Sequence, residues 1–349
     1  MKKLKIGIIG GGSIARHCHL PGYAADPDCI LAAIADPEAA SLQAVRQKWP
    51  FEHEYADYRE MLEHEQLDLV SVCTPNKFHA GAAIAAMESG ADVILEKPIA
   101  INLTEAQQIA DAVKRTGRRL AVGFSHRYNN LIRAARQSCE AGTIGKLYML
   151  RIRFAHGGPY PGWASTDWFY NPELAGGGAV LDMSIHAFDL IAYLAGPITT
   201  ISAISATLRK PIAVEDNMVA ICRVGDSCLG YIETSWTSPA GFNGVELYGD
   251  NGSIVIDYTT GEAGLTSGVL SPEGTVTMEK QVIATSGVPP WQCEMAELLD
   301  ACRNHKPFAA GIEQGVDALR VATAVYESSR TGREIRLDGT DFHPHCTGN

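Results

Sequence analysis

Leu4-Lys5-Ile6-Gly7-Ile8-Ile9-Gly10-Gly11-Gly12-Ser13-Ile14-Ala15 is the stretch on which the fold turns. A short apolar run breaks on three glycines, a helix-length segment follows, and a second apolar run, Ile30 to Ala35, ends at Asp36. Near-continuous apolar runs of this length suit parallel strands buried on both faces. Gly10, Gly12 and Ala15 fit the G-x-G-x-x-A dinucleotide fingerprint, placed between strand and helix where its mechanism needs it. Glycine permits the tight turn and lets the backbone approach a pyrophosphate. The helix that follows offers unpaired N–H groups and a positive dipole end. Ser13 and Ile14 lie in the same turn. A bare glycine turn reads the same letters, and Asp36 weighs against it. A carboxylate closing the second strand can accept hydrogen bonds from the adenosine ribose. Pro37 and Glu38 after it supply no cation for a 2′-phosphate, so NAD is expected over NADP.

Working outward, the strand–helix alternation continues. It runs through a helical stretch at 37–48, a helical turn at 58–63, a strand at 69–73, a helix at 79–89, a strand at 92–95, a helix at 104–116 and a strand at 119–123. The first third is therefore a doubly wound α/β Rossmann sheet. Beyond Phe124 come a helix at 130–141 and strand-like runs at 146–154, 199–208, 217–224, 228–236, 245–248 and 253–257. Few helices separate them, so an α+β domain with a large, mostly antiparallel open sheet is expected. Helices at 291–304 and 311–330 close it. The expected organisation is a nucleotide-binding domain over 1–124, a substrate-binding and oligomerisation domain over 125–337, and a polar tail over 338–349.

Two strand ends in the first domain carry chemistry. Thr74-Pro75-Asn76 follows the strand at 69–73, at the carboxyl end of the sheet, where doubly wound folds hold their ligands. A plain turn is the alternative. His79 opens the next helix, either holding the cofactor loop or standing exposed in a first turn. Glu96-Lys97-Pro98 follows the strand at 92–95, where a lysine points toward the cleft; the alternative is a surface ion pair. In the second half, Gly176-Gly177-Gly178 opens an apolar segment in which Asp182, His186 and Asp189 fall at i, i+4 and i+7 and so share a helical face. Leu181, Ile185 and Phe188 form the adjoining stripe. A buried acid and histidine must be satisfied or used. A structural core pair is one alternative and a metal site a weaker one, since no further His or Cys stands at ligand spacing; no metal is expected. His17-Cys18-His19 is equally weak as a ligand set, and His126, His156 and His305 show no pattern.

Composition narrows the function class. The chain has 349 residues, 46% hydrophobic and 20% charged, with a formal net charge of -11 and no basic run. A nucleic-acid partner is not expected. Nine scattered cysteines without a Cys-x-x-Cys pair read as reduced thiols of a cytoplasmic protein. The basic, apolar opening is cut short by glycines and does not make a leader, and no stretch is expected to span a bilayer.

Taken in order, Gly10 to Ala15, Thr74-Pro75-Asn76 with His79, Glu96-Lys97-Pro98, and Gly176-Gly177 with Asp182 and His186 resemble the Gfo/Idh/MocA oxidoreductases, which include inositol dehydrogenases and glucose-fructose oxidoreductase. The resemblance runs from Lys5 to about Leu337. It implies hydride transfer between a nicotinamide cofactor and a secondary alcohol or ketone of a sugar or polyol, with Lys97, Asp182 and His186 in the catalytic places. His186 would take the hydroxyl proton, having a suitable pKa class for it. Lys97 would stabilise the developing alkoxide, and Asp182 would orient the substrate or His186. The resemblance further implies ligand contact near Arg127, although a structural arginine reads equally well there. It also implies association through the open sheet into a homodimer or homotetramer. Trp163, in an aromatic segment from His156 to Tyr170, suits a sugar-ring wall or packing. Two other functions stay open: a cofactor-binding regulator without turnover, and an NADPH-dependent reductase of a sugar ketone.

Overall fold

The computed structural model describes residues 3–270, 274 and 276–337 of the 349; the expected tail at 338–349 lies outside them. The chain forms two compact units, each discontinuous in sequence. Of the described residues, the first gathers those up to 125, 159–176 and 291–319; the second gathers 126–158, 177–290 and 320–337. The chain first passes out of the first unit after residue 125, and two later segments return to it.

Six strands make the first unit's sheet: β1 (Leu4–Ile9), β2 (Cys29–Ala35), β3 (His53–Tyr55), β4 (Leu69–Val72), β5 (Asp92–Leu95) and β6 (Leu120–Val122). They pair in the order β3-β2-β1-β4-β5-β6, all parallel. This doubly wound order reverses between β1 and β4, and ligands bind at the carboxyl ends of the strands beside such a reversal. Ile6, Ile8, Ile34, Leu69 and Ile94 are buried in one cluster with Leu20 and Tyr23. Met295, Leu298, Leu299 and Cys302 complete that core from far along the chain. Burying each such side chain contributes about 1.5–3 kcal/mol.

The second unit's sheet has nine strands: β7 (Leu147–Ala155), β8 (Ile198–Ala206), β9 (Asn217–Val224), β10 (Cys228–Ser235), β11 (Gly244–Gly249), β12 (Gly252–Asp257), β13 (Glu262–Leu270), β14 (Val276–Thr285) and β15 (Ile335–Arg336). Their order is β14-β13-β12-β11-β7-β10-β9-β8-β15. Among the described residues of this sheet only β7 and β10 pair in parallel. The β13–β14 hairpin was not expected from the sequence. Its strands are rich in Gly, Thr, Ser and charge, and an edge ribbon needs no continuous apolar face. In β9, Met218, Ala220 and Cys222 point into the core while Val219 and Ile221 alternate outward, the period-2 pattern of a one-sided sheet.

Two helical stretches depart from regular α geometry. A π turn covers Ala15–His19, after the glycine turn, and another covers Val180–Ser184, leading into the α-helix Ile185–Leu194. The segment Pro172–Leu194 has the length and hydropathy to cross a membrane, contrary to expectation, but most of it is buried inside the protein. It serves here as core.

Candidate functional site

In the first unit a cavity of about 730 Å³ opens at the carboxyl ends of β1, β2, β4 and β5, lined by Gly10, Gly12, Ser13, Ile14, Asp36, Thr74, Pro75, Asn76, His79, Glu96 and Lys97. The sequence-predicted cofactor residues therefore share one wall. Gly10 has φ +96°, and a Cβ there would lie 2.7 Å from the Cys73 carbonyl oxygen at the end of β4. Only glycine fits. A Cβ on Gly12 would meet nothing within 4 Å; the space in front of it belongs to the cavity. Asp36 is buried; its Oδ2 accepts from Gly11 N at 2.7 Å and its Oδ1 from Glu38 N at 2.8 Å. Those bonds aim the carboxylate, and each oxygen retains acceptor capacity. The Thr74 hydroxyl is buried with no hydrogen-bond partner among the described residues. An open glycine cradle, a fixed carboxylate and an orphaned hydroxyl on one wall fit a dinucleotide.

His79 is 1% exposed, which removes the exposed first-turn reading. Its Nδ1 lies 2.7 Å from the Pro98 carbonyl and its Nε2 2.9 Å from the Thr74 carbonyl, so the ring ties the two ligand-facing loops together. Burial pushes its pKa down, against the opposing effect of those carbonyls; a neutral ring donates to one of them. Asn76 donates from Nδ2 to the Ala175 carbonyl at 2.8 Å, anchoring the returning segment. That segment brings Trp163, 48% exposed, and Trp168 stacked on Phe169, to the same cavity. The aromatic stretch so wraps the cofactor cavity, a placement the sequence did not suggest. Arg59 also lines it, lying over the Tyr58 ring at 4.6 Å and 3.6 Å from Asp57. It was missed because it sits more than twenty residues beyond Asp36.

Glu96 is buried and accepts from His19 at 2.9 Å and from the Lys97 backbone N–H at 3.3 Å. Glu96 therefore lies in the protein interior and not on its surface. Lys97, partly exposed, faces the cavity. His19 serves this carboxylate rather than a metal.

The second unit holds the other motif. The glycine turn at Gly178 is a packing requirement: a Cβ there would lie 2.0 Å from the Glu215 carbonyl oxygen, and one on Gly177 would lie 2.0 Å from the Tyr326 hydroxyl. Glu215 Oε1 accepts from Gly178 N and Val180 N at 2.8 and 3.0 Å and from the Tyr326 hydroxyl at 3.0 Å, fixing the start of the helix. The i, i+4, i+7 argument assumed regular α geometry, and the π turn at Val180–Ser184 breaks it. Asp182 is buried and accepts from Trp236 Nε1 at 3.1 Å, with His156 Nε2 at 4.0 Å. Asp189 instead receives two bonds from Arg127, 2.8 and 2.7 Å, both side chains buried. Arg127 thereby braces the helix Ile185–Leu194. His186 is partly exposed and packs against His126, ring centroids 4.7 Å apart. His126 in turn meets the Tyr258 hydroxyl at 3.1 Å. Trp236, His156, His126 and Tyr258 escaped the sequence reading, since single residues 26 to 132 positions apart leave no local signal.

A parallel sheet reversing at β1/β4, with a glycine turn and an aimed carboxylate there, defines a Rossmann-type dinucleotide-binding protein. Comparison with known proteins narrows this. Residues 4–124 match the model of an oxidoreductase family with an NAD-binding Rossmann fold, and residues 132–255 match the GFO/IDH/MocA C-terminal domain. The chain is 28% identical to D-glucoside 3-dehydrogenase of Escherichia coli strain K12 over 96% of its own length and 97% of that protein's. It is 29% identical to myo-inositol 2-dehydrogenase of Thermotoga maritima, over 73% and 75%. The solved structure of a levoglucosan dehydrogenase with NADH and levoglucosan superposes with TM-score 0.85, at 22% identity, over 96% of this chain and 100% of that one. The chain belongs to the Gfo/Idh/MocA family and is an NAD-dependent oxidoreductase.

Proposed function

We propose that this protein oxidises a secondary alcohol of a sugar or cyclic polyol. The observation that carries the reading is Lys97, set by the end of β5 into the wall that also holds Gly12, Asp36 and Thr74. The names of its relatives, a glucoside and an inositol dehydrogenase, support the substrate class. The nicotinamide, when bound, accepts the hydride from the carbinol carbon. His186 takes the hydroxyl proton as that hydride leaves, a step typically worth about 10²–10⁴ in rate. Lys97 donates a hydrogen bond to the same oxygen and stabilises its alkoxide character. Asp182, braced by Trp236, orients the substrate or His186. Trp163 supplies an aromatic surface along the way in.

The test is absorbance at 340 nm with NAD, and separately with NADP, across inositols, aldoses, glucosides and anhydrosugars. Turnover with one group identifies the substrate class. Cofactor binding with no turnover anywhere would instead support the regulator. Preference for NADP would support the reductase, for which Arg59 on the cavity wall is the single favouring observation.

The association is through the open sheet. Ile204, Val219, Ile221 and Leu229 expose 71, 44, 63 and 52% of their surfaces, and β8, β9 and β10 carry them side by side. A contiguous apolar patch of this kind supports a homodimer or homotetramer. The eight described cysteines are free thiols, which supports a reducing compartment such as the cytoplasm.

A further inference from the structure

Behind Lys97 the first unit buries a chain of four polar side chains that the proposed chemistry does not use. The Tyr23 hydroxyl lies 2.5 Å from Ser71 Oγ, Ser71 Oγ lies 3.0 Å from His19 Nδ1, and His19 Nε2 lies 2.9 Å from Glu96 Oε1. Exposure is 1% at Tyr23, 0% at Ser71, 3% at His19 and 9% at Glu96. Polar groups this deep in a parallel-sheet core cost stability unless fully satisfied.

The donors can be assigned. An ionised Glu96 only accepts, so His19 Nε2 carries the proton. With that single ring proton, Nδ1 accepts from Ser71, and Ser71 accepts from the Tyr23 phenol, which burial keeps protonated. Every group is satisfied in one direction, from Tyr23 at the far end to Glu96 in the cavity lining. We infer that His19 and Glu96 are positioning residues for Lys97, holding a fixed negative charge beside it so that its ammonium is kept in place toward the reacting oxygen. This rests on the reading of Lys97 given above.

The surroundings agree. Burial raises the Glu96 pKa, but the His19 hydrogen bond and then the Lys97 charge outweigh it, leaving the carboxyl below its ordinary value. The other titratable groups facing Glu96 are the Cys18 and Cys73 thiols, pushed up by burial and then by Glu96 itself, Cys18 to about 12 and with Glu294 adding to it. They stay neutral, so Glu96 is the charge that Lys97 meets from this side. The π turn at Ala15–His19 is the element that carries His19 here, and π turns gather at functional positions.

The experiment compares Glu96→Gln, His19→Ala, His19→Gln and Lys97→Met in the full chain, reading kcat/KM against pH, NAD affinity and thermal unfolding. Glu96→Gln and His19→Ala should bring the alkaline loss of kcat/KM down by about one pH unit and lower kcat about tenfold, with NAD affinity within about twofold. His19→Gln, whose amide N–H can still donate to Glu96, should recover most of the loss. An alkaline limb that stays in place, with all lost activity tracking lost thermal stability, would mean that the chain only packs and would overturn the inference. Near-normal turnover in Lys97→Met would instead overturn the role of Lys97 itself, so the two failures are distinguishable. Should Glu96→Gln not fold, Ser71→Ala removes a single hydroxyl from the same chain. It should displace the limb in the same direction, and an unmoved limb there would equally overturn the inference.

Discussion

Replacing Gly10 and Gly12 separately with alanine should divide folding from cofactor binding. At Gly10 the φ of +96° penalises an L residue by about 1–2 kcal/mol. The new Cβ would also sit 2.7 and 2.8 Å from the Cys73 carbonyl atoms, which are backbone and cannot rotate away, so overpacking adds about 1–3 kcal/mol. The sum, about 3 kcal/mol, corresponds to a fall in Tm of about 6–12 °C for a unit of this size. At Gly12 a Cβ meets nothing within 4 Å, so Gly12→Ala should unfold within about 2 °C of the parent, on the scale of a benign substitution. That methyl nevertheless fills the space the backbone must leave for a diphosphate, and NAD affinity should fall about tenfold or more, about 1.4 kcal/mol. Thermal unfolding with and without saturating NAD reads both effects, because a ligand raises Tm only through binding the folded state. If Gly12→Ala lowers Tm without cofactor as much as Gly10→Ala, or keeps the full NAD-induced rise, the reasoning fails.

Lys97→Ala and His186→Ala should each lower kcat about 100-fold or more while NAD affinity stays nearly constant; steady-state kinetics beside a fluorescence titration checks this. Asp36→Ala removes the acceptor for Gly11 N and Glu38 N and should weaken NAD about tenfold while narrowing the preference over NADP, read by titration with both cofactors. Asp216 accepts the backbone N–H groups of Leu208, Arg209 and Lys210 at 2.8 to 2.9 Å. Burial raises its pKa, but those three bonds and Asn217 hold it below the ordinary value. Its stabilisation is therefore complete above the ordinary carboxylate range and is lost as pH falls through the depressed pKa. Asp216→Asn should lower Tm at pH 7 and flatten the acid side of a Tm–pH plot. Ile204→Asp with Ile221→Asp should shift the particle to a smaller mass by light scattering without loss of secondary structure.

The nucleotide-binding half was legible because its signals are local. Glycines at a strand end, a carboxylate at the next one and a lysine before proline all lie within a few residues of the feature they mark. Asp182 and His186 were legible as residues but not as an arrangement, since a π turn at Val180–Ser184 leaves no mark in hydrophobic periodicity. The partners of Asp182 were invisible for another reason: Trp236 stands 54 positions away and is joined to it by folding alone. His19, dismissed beside Cys18 as a weak ligand, owes its role to Glu96, 77 positions on. The edge hairpin β13–β14 went unseen because a ribbon with polar strands lacks the alternation that marks the other strands of its sheet.

Because Met295, Leu298, Leu299 and Cys302 seal the core beneath β1, β2 and β5, the nucleotide-binding unit is not a product of its first 125 residues. A ribosome must add some 180 more before the sealing helix exists, about 10–40 s at ordinary elongation rates. Over that interval a parallel sheet with one face incomplete waits in the open, exposed to chaperones and to neighbouring chains. An isolated 1–125 fragment should accordingly be insoluble, and one supplied with a separate peptide of residues 290–303 should be recovered in soluble form.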